Sequence, residues 1–275
     1  MENRRFLALL LSLTILTAAA LSAAATGEIE PAQDAVWSGV STPDHTRYVN
    51  GYPNGRFGPA DDIDRASVAT IIARALLPDF VEGADYGNPG GFSDVGGHWA
   101  ESAIAYCVRF GVFSIRPGGE FQPDRPITRQ EFALAIARID GVMEVGEMGF
   151  TDLDEAGDWA LGGIYTAYAK KWVNGYTDGT FKPLNNIRRD EAVKIFNAYL
   201  GRGVDSGGLK ELRGYVYGSG AGNGGDGYMT WPDVPPTHWA YYEIIEAAND
   251  HSIAHTGTGG QALPERWIKC WGQEN

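Results

Sequence analysis

The sequence predicts a mainly α-helical fold in which three helix-loop-helix units pack around a central helical bundle. Three observations lead to this prediction: a repeat of about 60 residues, apolar residues at the same helical spacing in each repeat, and a Gly/Asn/Asp-rich loop between the two helices of a unit. One unit of this size could not bury an apolar core alone, so equivalent helices are expected to bury one another around a shared axis.

Residues 1–25 have the pattern of a secretory signal peptide. Arg4 and Arg5 form a charged region, an apolar run extends from Phe6 to about Leu16, and an Ala-x-Ala cleavage site lies at 23–25. The same run could be an uncleaved membrane anchor, but its modest length and the small residues after it favour cleavage. We therefore expect a secreted chain that begins near Thr26, with a short N-terminal segment at 26–46.

The chain is strongly acidic. It carries 22 Lys and Arg residues against 35 Asp and Glu residues, a net charge of −13. Removal of residues 1–25 takes away one glutamate and two arginines, so the mature charge is −14. This charge disfavours wholesale binding to nucleic acid or to an acidic membrane. Recognition of an anion must therefore come from a few local basic groups.

Cys107 and Cys270 are the two cysteines of the sequence, so the chain is not a small disulfide scaffold. They cannot build a metal site, and the sequence predicts no metal and no other cofactor. Cys107 falls on the apolar stripe of a predicted helix, which favours a buried thiol over a disulfide with Cys270.

The first half of the repeat is an aromatic-x-Asp segment followed by a Trp-Ala pair and a helix. The equivalent aspartates are Asp94, Asp152 and Asp233, and the equivalent tryptophans are Trp99, Trp159 and Trp239. An isoleucine stands five residues after each tryptophan, and a cysteine or alanine stands eight after it. These positions share one helical face: Ile104 and Cys107, Ile164 and Ala167, Ile244 and Ala247.

The second half is a glycine-containing turn that leads to an apolar-x-Arg segment and another helix. The turn glycines are Gly55, Gly119 and Gly179, and the arginines are Arg65, Arg129 and Arg189. Apolar residues stand 3, 6, 7 and 10 positions after each arginine, which is one stripe of an amphipathic helix. The stripes are Val68, Ile71, Ile72 and Ala75; Phe132, Ala135, Ile136 and Ile139; and Ala192, Ile195, Phe196 and Tyr199.

The chain opens with an unpaired second half and closes with an unpaired first half. We expect these two halves to pair in space and complete a third unit. The predicted ranges are a second half-unit at 47–80, whole units at 90–140 and 148–201, a Gly-rich linker at 202–230, a first half-unit at 231–253 and a tail at 254–275.

The ordered elements Phe-x-Asp-Val, His-Trp-Ala, Asp-Gly-Thr-Phe-x-Pro and Ile-Thr-Arg-x-Glu resemble the S-layer homology domain. The resemblance covers roughly 47–253 and is closest at 150–200. It implies a pseudo-threefold trimer of units at the surface of a Gram-positive-type cell wall. It also implies binding to a secondary cell-wall polymer linked to peptidoglycan, often through a pyruvylated amino sugar.

Each unit departs from this pattern, so we expect one or two of its three grooves to bind weakly or not at all. The departures are Ile115, Arg116, Gly118 and Gly119 in the second unit, Arg188 in the third, and Asp64 and Ser67 in the first. Thr128 and Glu131 keep the pattern of a capping box, and Asp64 is a plausible N-cap.

The three arginines are the main candidates for ligand binding. Each is expected in the first turn of its helix, where free backbone N–H groups favour an anion. A cation there costs roughly 0.3 kcal/mol or more, so its recurrence suggests a carboxylate ligand or an internal acidic partner. The guanidinium fork suits a carboxylate, such as the pyruvate ketal that the resemblance implies. Alternatively, the arginines pair with Asp94, Asp152 or Asp233 and tie units together.

The other candidates are the recurring tryptophans and turn glycines. The tryptophans could offer an apolar face to a sugar ring or be partly buried in the core. The glycines supply turn geometry and could also let the backbone approach a sugar. His98 and His238 are interpreted as capping or inter-unit hydrogen-bond groups, and no residue is predicted to be catalytic.

The leading functional hypothesis is a non-enzymatic, carbohydrate-binding cell-surface anchor. One alternative is a structural surface protein that self-assembles. A less favoured alternative is a wall-active glycosidase that uses Asp152 and Asp178.

Overall fold

The computed structural model describes residues 45–77, 79–114, 119–202, 229–255 and 265–270. Its helices are α1 (Arg65–Leu76), α2 (Glu101–Arg109), α3 (Arg129–Asp140), α4 (Asp158–Ala169), α5 (Arg189–Leu200) and α6 (Tyr241–Ala248). A 3-10 turn at Leu153–Glu155 precedes α4, and strands β1 (His251–His255) and β2 (Glu265–Cys270) pair antiparallel after α6. The predicted mainly α fold is confirmed, and the small sheet is a feature that the repeat pattern does not predict.

Several predicted features lie outside the described residues. They are the signal peptide, the N-terminal segment up to residue 44, linker residues 203–228, and the departures Ile115, Arg116 and Gly118. None of the described helices is both long and apolar enough to cross a lipid bilayer.

The predicted caps start α1 and α3. Asp64 Oδ1 accepts a hydrogen bond of 2.6 Å from Ser67 N. In α3 the capping box is complete, because Thr128 Oγ1 accepts from Glu131 N and Glu131 Oε2 accepts from Thr128 N. These bonds satisfy backbone donors that have no partner within the helix.

The helices pack in pairs, with α1 against α2, α3 against α4 and α5 against α6. In each stripe the residues 3, 6 and 7 positions after the arginine are buried, and the residue 10 positions after it is half-buried at the edge of the core. Ile104, Ile164 and Ile244 are completely buried on the partner helices. At Gly163 a Cβ atom would lie 2.5 Å from Leu134 Cα, so α3 and α4 approach closely only because this position is glycine.

A closed ring of backbone hydrogen bonds joins the three segments that precede α1, α3 and α5. Ile63 N donates to Ile187 O at 3.0 Å, Ile187 N donates to Ile127 O at 3.1 Å, and Ile127 N donates to Ile63 O at 3.0 Å. All three isoleucines are buried. The connection is cyclic, whereas a pseudo-threefold axis for whole units stays a prediction.

The two segments assigned to half-units contact each other. Asp233 Oδ1 and Oδ2 accept hydrogen bonds from Phe57 N at 2.9 Å and Gly58 N at 2.8 Å. The rings of Phe57 and Trp231 lie 5.2 Å apart, and Tyr48 N donates to Ala247 O. These contacts bring the beginning and the end of the repeat region together.

Cys107 is a free cysteine buried between α1 and α2. Its thiol donates to the carbonyl of Ala69 at 3.2 Å, and burial raises its pKa. This environment agrees with the predicted buried thiol. The side chain of Cys270 lies outside the described part of the chain.

Candidate functional site

Each recurring arginine is the first residue of its helix and contacts the loop of another repeat. Their exposed fractions are 3% for Arg65, 7% for Arg129 and 5% for Arg189. Each Nε donates to the carbonyl of a loop phenylalanine: Arg65 to Phe121 at 2.9 Å, Arg129 to Phe181 at 2.8 Å, and Arg189 to Phe57 at 3.0 Å. The arginines therefore have a structural role in joining the repeats.

The recurring aspartates hold the same loops from the other side. The carboxylate of Asp94 accepts from Phe121 N and Gln122 N, at 2.8 and 2.7 Å. Asp152 binds the N–H groups of residues 181 and 182 in the same way, and Asp233 binds those of residues 57 and 58. Each loop phenylalanine is thus bound twice: its backbone carbonyl accepts from an arginine, and its backbone N–H donates to an aspartate.

The expectation of free N–H groups at the helix starts is wrong. Arg129 N donates to Asn185 O at 2.9 Å, and Gln130 N donates to Pro183 O at 3.1 Å. The equivalent first two N–H groups of α1 donate to the carbonyls of residues 125 and 123, and those of α5 to the carbonyls of residues 61 and 59. Loops from other repeats therefore occupy these donors, so these N–H groups are not available to an anion.

Aromatic rings flank each guanidinium group. Arg129 Cζ lies 4.7 Å from the ring centre of Tyr176 and 5.0 Å from that of Phe181. The equivalent rings are Tyr52 and Phe57 around Arg189, and Phe113 and Phe121 around Arg65. Cation–π attraction offsets part of the cost of burying these charges. Sequence reasoning missed Tyr52 and Tyr176 as site residues, although each directly follows a glycine, Gly51 or Gly175.

Two of the arginines form an ion pair with a glutamate. Arg65 Nη1 lies 3.5 Å from Glu131 Oε1, and Arg129 Nη1 lies 3.7 Å from Glu191 Oε1. The equivalent position in the first unit is Ser67, and Arg189 Nη2 instead donates to the carbonyl of Asn50 at 2.9 Å. Burial lowers the pKa of Arg189. The three sites therefore differ in how their guanidinium charge is balanced.

The recurring tryptophans are exposed rather than buried in the core, with exposed fractions of 60% for Trp99, 55% for Trp159 and 51% for Trp239. Trp159 lines a cavity of about 430 Å³, which we call the Trp159 groove. Its other lining residues include Arg65, Phe113 and Glu131.

Trp239 lines a second cavity of about 330 Å³, which we call the Trp239 groove. Its other lining residues include Arg129, Tyr176, Arg188, Glu191 and Lys194. Trp99 lines a separate cavity with His98 and Tyr86.

The S-layer homology domain matches residues 47–69, 91–133 and 149–193, which include all three arginines. The chain is an S-layer homology (SLH) domain protein. Membership of this family places the SLH chain at the cell surface. The predicted half-unit at 231–253, which supplies Trp239, lies beyond the matched segments.

Three relatives share this region with the SLH chain. Cell surface glycoprotein 1 of Acetivibrio thermocellus is 34% identical over 220 residues, 76% of the SLH chain and 9% of the relative. The cellulosome-anchoring protein of the same organism is 34% identical over 247 residues, 86% of the chain and 49% of the relative. The surface layer protein of Brevibacillus choshinensis is 34% identical over 106 residues, 37% of the chain and 9% of the relative. The SLH chain thus spans about half or less of their length.

Cations outnumber carboxylates along both grooves of the SLH chain. The Trp239 groove is lined by Arg129, Arg188 and Lys194 against Glu191, and the Lys194 ammonium lies 5.5 Å from the Trp239 ring centre. The Trp159 groove is lined by two arginines, at 65 and 138, against one glutamate. Positive linings of this kind attract an anion even though the chain as a whole is acidic.

The predicted glycines contribute turn geometry. Gly55, Gly119 and Gly179 have φ values of 80°, 73° and 82°, which only glycine adopts without strain. Gly179 N donates to Tyr176 O and closes the turn that presents the tyrosine to Arg129. The glycine that lines the Trp239 groove is Gly175, where a Cβ atom would lie 2.4 Å from the Phe150 ring.

His98 and His238 accept hydrogen bonds at Nδ1 from Ala100 N and Ala240 N, in agreement with a capping role.

Proposed function

We propose that the SLH chain is a non-enzymatic cell-surface anchor that binds an anionic polymer, the pyruvylated secondary cell-wall polysaccharide linked to peptidoglycan. The observation that carries this proposal is the combination of a buried arginine and an exposed tryptophan along one cation-rich groove. A guanidinium group binds a carboxylate, and an indole ring provides an apolar face for a sugar. The relatives named for surface layers and for cellulosome anchoring support this function.

The arginine side chain is held in place before any ligand binds. Arg129 Nε is fixed on Phe181 O, and two rings restrict the guanidinium plane. Its Nη1 contact with Glu191 is 3.7 Å long, so a ligand carboxylate at normal hydrogen-bond distance would interact more strongly. Because the fork is already ordered, little side-chain entropy is lost on binding.

We propose the Trp239 groove as the main binding site. It combines Arg129 and Lys194 with Tyr176, and Arg188, which replaces the usual threonine, adds a third cation that is paired with Asp190. The Trp159 groove has two arginines and Phe113 in place of a tyrosine, so we propose weaker binding there. Arg189 lines neither groove, and Trp99 lines a separate cavity with His98 and Tyr86, so we propose that these two predicted residues bind most weakly. Contacts of Asp233 with Phe57 and Gly58 support our proposal that 47–80 and 231–253 form one unit.

The glycosidase alternative is disfavoured by the contacts of its two candidate carboxylates. Both oxygens of Asp152 accept backbone N–H groups, which commits this residue to holding the loop. Hydrogen bonds from the side chain and backbone of Thr180 lower the pKa of Asp178, whereas a general acid needs a raised pKa.

The test is co-sedimentation of the exported chain with cell-wall sacculi, before and after chemical removal of the secondary polymer. We expect binding that is lost on stripping and reduced by Trp239→Ala and Lys194→Ala. Arg74→Ala is the matched control, because Arg74 pairs with Glu82 on an exposed surface and lines neither groove. Failure to bind intact sacculi would overturn the proposal. Light scattering of the soluble chain would then test the self-assembly alternative.

A further inference from the structure

Three side chains with metal-binding atoms converge beside the end of α6, away from both grooves. His45 Nδ1 lies 2.8 Å from Glu246 Oε1, His251 Nε2 lies 3.0 Å from the same oxygen, and the two nitrogens are 3.2 Å apart. The exposed fractions of the side chains are 15% for His45, 1% for Glu246 and 0% for His251. We call this group the His-Glu-His cluster.

The hydrogen bonds of His251 fix which of its two ring nitrogens faces Glu246. Its Nδ1 is 2.9 Å from the carbonyl oxygen of Asn249, and a carbonyl only accepts, so Nδ1 carries a proton. In a neutral imidazole the other nitrogen, Nε2, then presents a lone pair to the Glu246 carboxylate. Two acceptors at 3.0 Å repel each other unless a proton or a metal ion lies between them.

The spacing of the ligand atoms fits a tetrahedral metal ion. Ligands about 2.05 Å from a tetrahedral zinc ion are about 3.3 Å from one another. The observed separations of 2.8 to 3.2 Å require the side chains to move outward by only a few tenths of an ångström. The two imidazole rings are also well placed, because their centres lie 5.0 Å apart with planes at 83°.

The ligand types select the class of metal. Two imidazole nitrogens and one carboxylate oxygen form a ligand set that zinc occupies in proteins, whereas calcium and magnesium prefer oxygen alone. The Asn249 carbonyl fixes the His251 tautomer with Nε2 directed at the cluster, as outer hydrogen-bond partners do for metal-bound histidines.

We infer that His45, Glu246 and His251 form a site for a divalent transition-metal ion of the zinc class. The ion would join the two ends of the repeat region, since His45 stands 201 residues before Glu246 and 206 before His251. Paired backbone hydrogen bonds of 3.0 Å between His45 and His251 already fix their register. Ligands so far apart in the chain form no recognisable sequence motif, so the sequence predicts no metal site here.

A metal at this position stabilises the folded chain. An unfolded chain holds these ligands far apart, so the binding free energy adds to the free energy of unfolding. The inference does not depend on the proposed polysaccharide, because its readouts are metal content and stability alone.

The experiment uses the full exported chain, prepared without a histidine tag and treated with a chelator. Zinc chloride is added, and binding is followed by calorimetry, with cobalt(II) as a spectroscopic probe of tetrahedral coordination. We expect one zinc ion per chain and a Tm that rises with zinc. Glu246→Gln keeps the side-chain shape and is expected to weaken zinc binding at least tenfold and to abolish the rise in Tm.

The matched control is His238→Asn, which changes a histidine outside the cluster and keeps an acceptor for Ala240 N. This variant should bind zinc as the wild type does. If Glu246→Gln fails to fold, His45→Asn provides the same test at a partly exposed position. Absence of stoichiometric zinc binding by the wild type, or binding that these cluster variants leave unchanged, would overturn the inference and leave a triad that holds only a proton.

Discussion

Arg129 Nε donates a 2.8 Å hydrogen bond to the carbonyl oxygen of Phe181, so the first residue of α3 holds the loop of the following unit. Arg65 and Arg189 make the equivalent bond, and the three bonds run from each unit to the next. The residue type proposed to bind the polymer is therefore also part of the framework. Stability and binding must be measured together for any variant of these arginines.

Replacing Arg129 tests its structural role. Arg129→Ala leaves the buried Phe181 carbonyl without its donor, so we expect a loss of about 2 kcal/mol in the free energy of unfolding. Urea denaturation measures this loss. Arg74→Ala should cost less than about 1 kcal/mol, because its ion pair with Glu82 is exposed. Equal stability of both variants would show that the Phe181 bond contributes little.

Replacing the exposed tryptophans tests the proposed sugar platform. Trp239→Ala should lower binding to sacculi by roughly 3- to 10-fold and leave stability nearly unchanged, since about half of the side chain is exposed. Trp159→Ala is the matched variant, and we expect a smaller loss because its groove has fewer cations. If the Trp239→Ala, Trp159→Ala double variant binds sacculi as the wild type does, the proposal that these rings contact the sugar is contradicted.

The sequence predicts the mainly helical fold well because its strongest signal, the recurring apolar spacing, is the same signal that determines burial. Ile72, Ile136 and Phe196 stand at one repeat position and are all completely buried. The caps at Asp64 and Thr128 are also predictable, because a capping bond forms within four residues.

Contacts between units could not be predicted in the same way. The Arg129 to Phe181 bond spans 52 residues, and the His45 to Glu246 contact spans 201. Sequence spacing carries no information on which loop reaches a helix start, so the engaged N–H groups of α3 were missed. The tyrosines beside the arginines were missed for the same reason, since Tyr176 meets Arg129 only across a unit boundary.

Protonation of Glu131 in acid should lower the free energy of unfolding. Burial alone raises its pKa, but hydrogen bonds from Arg125 and Thr128 N and the charge of Arg65 lower the pKa to about 2. A lowered pKa gives stability that is complete above the ordinary value of 4.5 and is lost as the pH falls towards 2. We expect a loss of roughly 2 to 3 kcal/mol over this range, measured by urea denaturation. Glu131→Gln should flatten the pH profile, and an unchanged slope would refute the assignment.

The Asp233 contacts test whether the end of the repeat region completes a unit with its beginning. Asp233→Ala removes the acceptor for Phe57 N and Gly58 N, so we expect a loss of about 1 to 3 kcal/mol. Hydrogen exchange should increase at residues 45–58, because only the chain end at 231–253 supplies that acceptor. Asp94→Ala is the matched control, since it breaks the same bonds to Phe121 and Gln122 between neighbouring segments of the chain. We expect its exchange to increase near residue 121 and not at 45–58. Protection of 45–58 that survives Asp233→Ala would mean that the two chain ends do not form one cooperative unit.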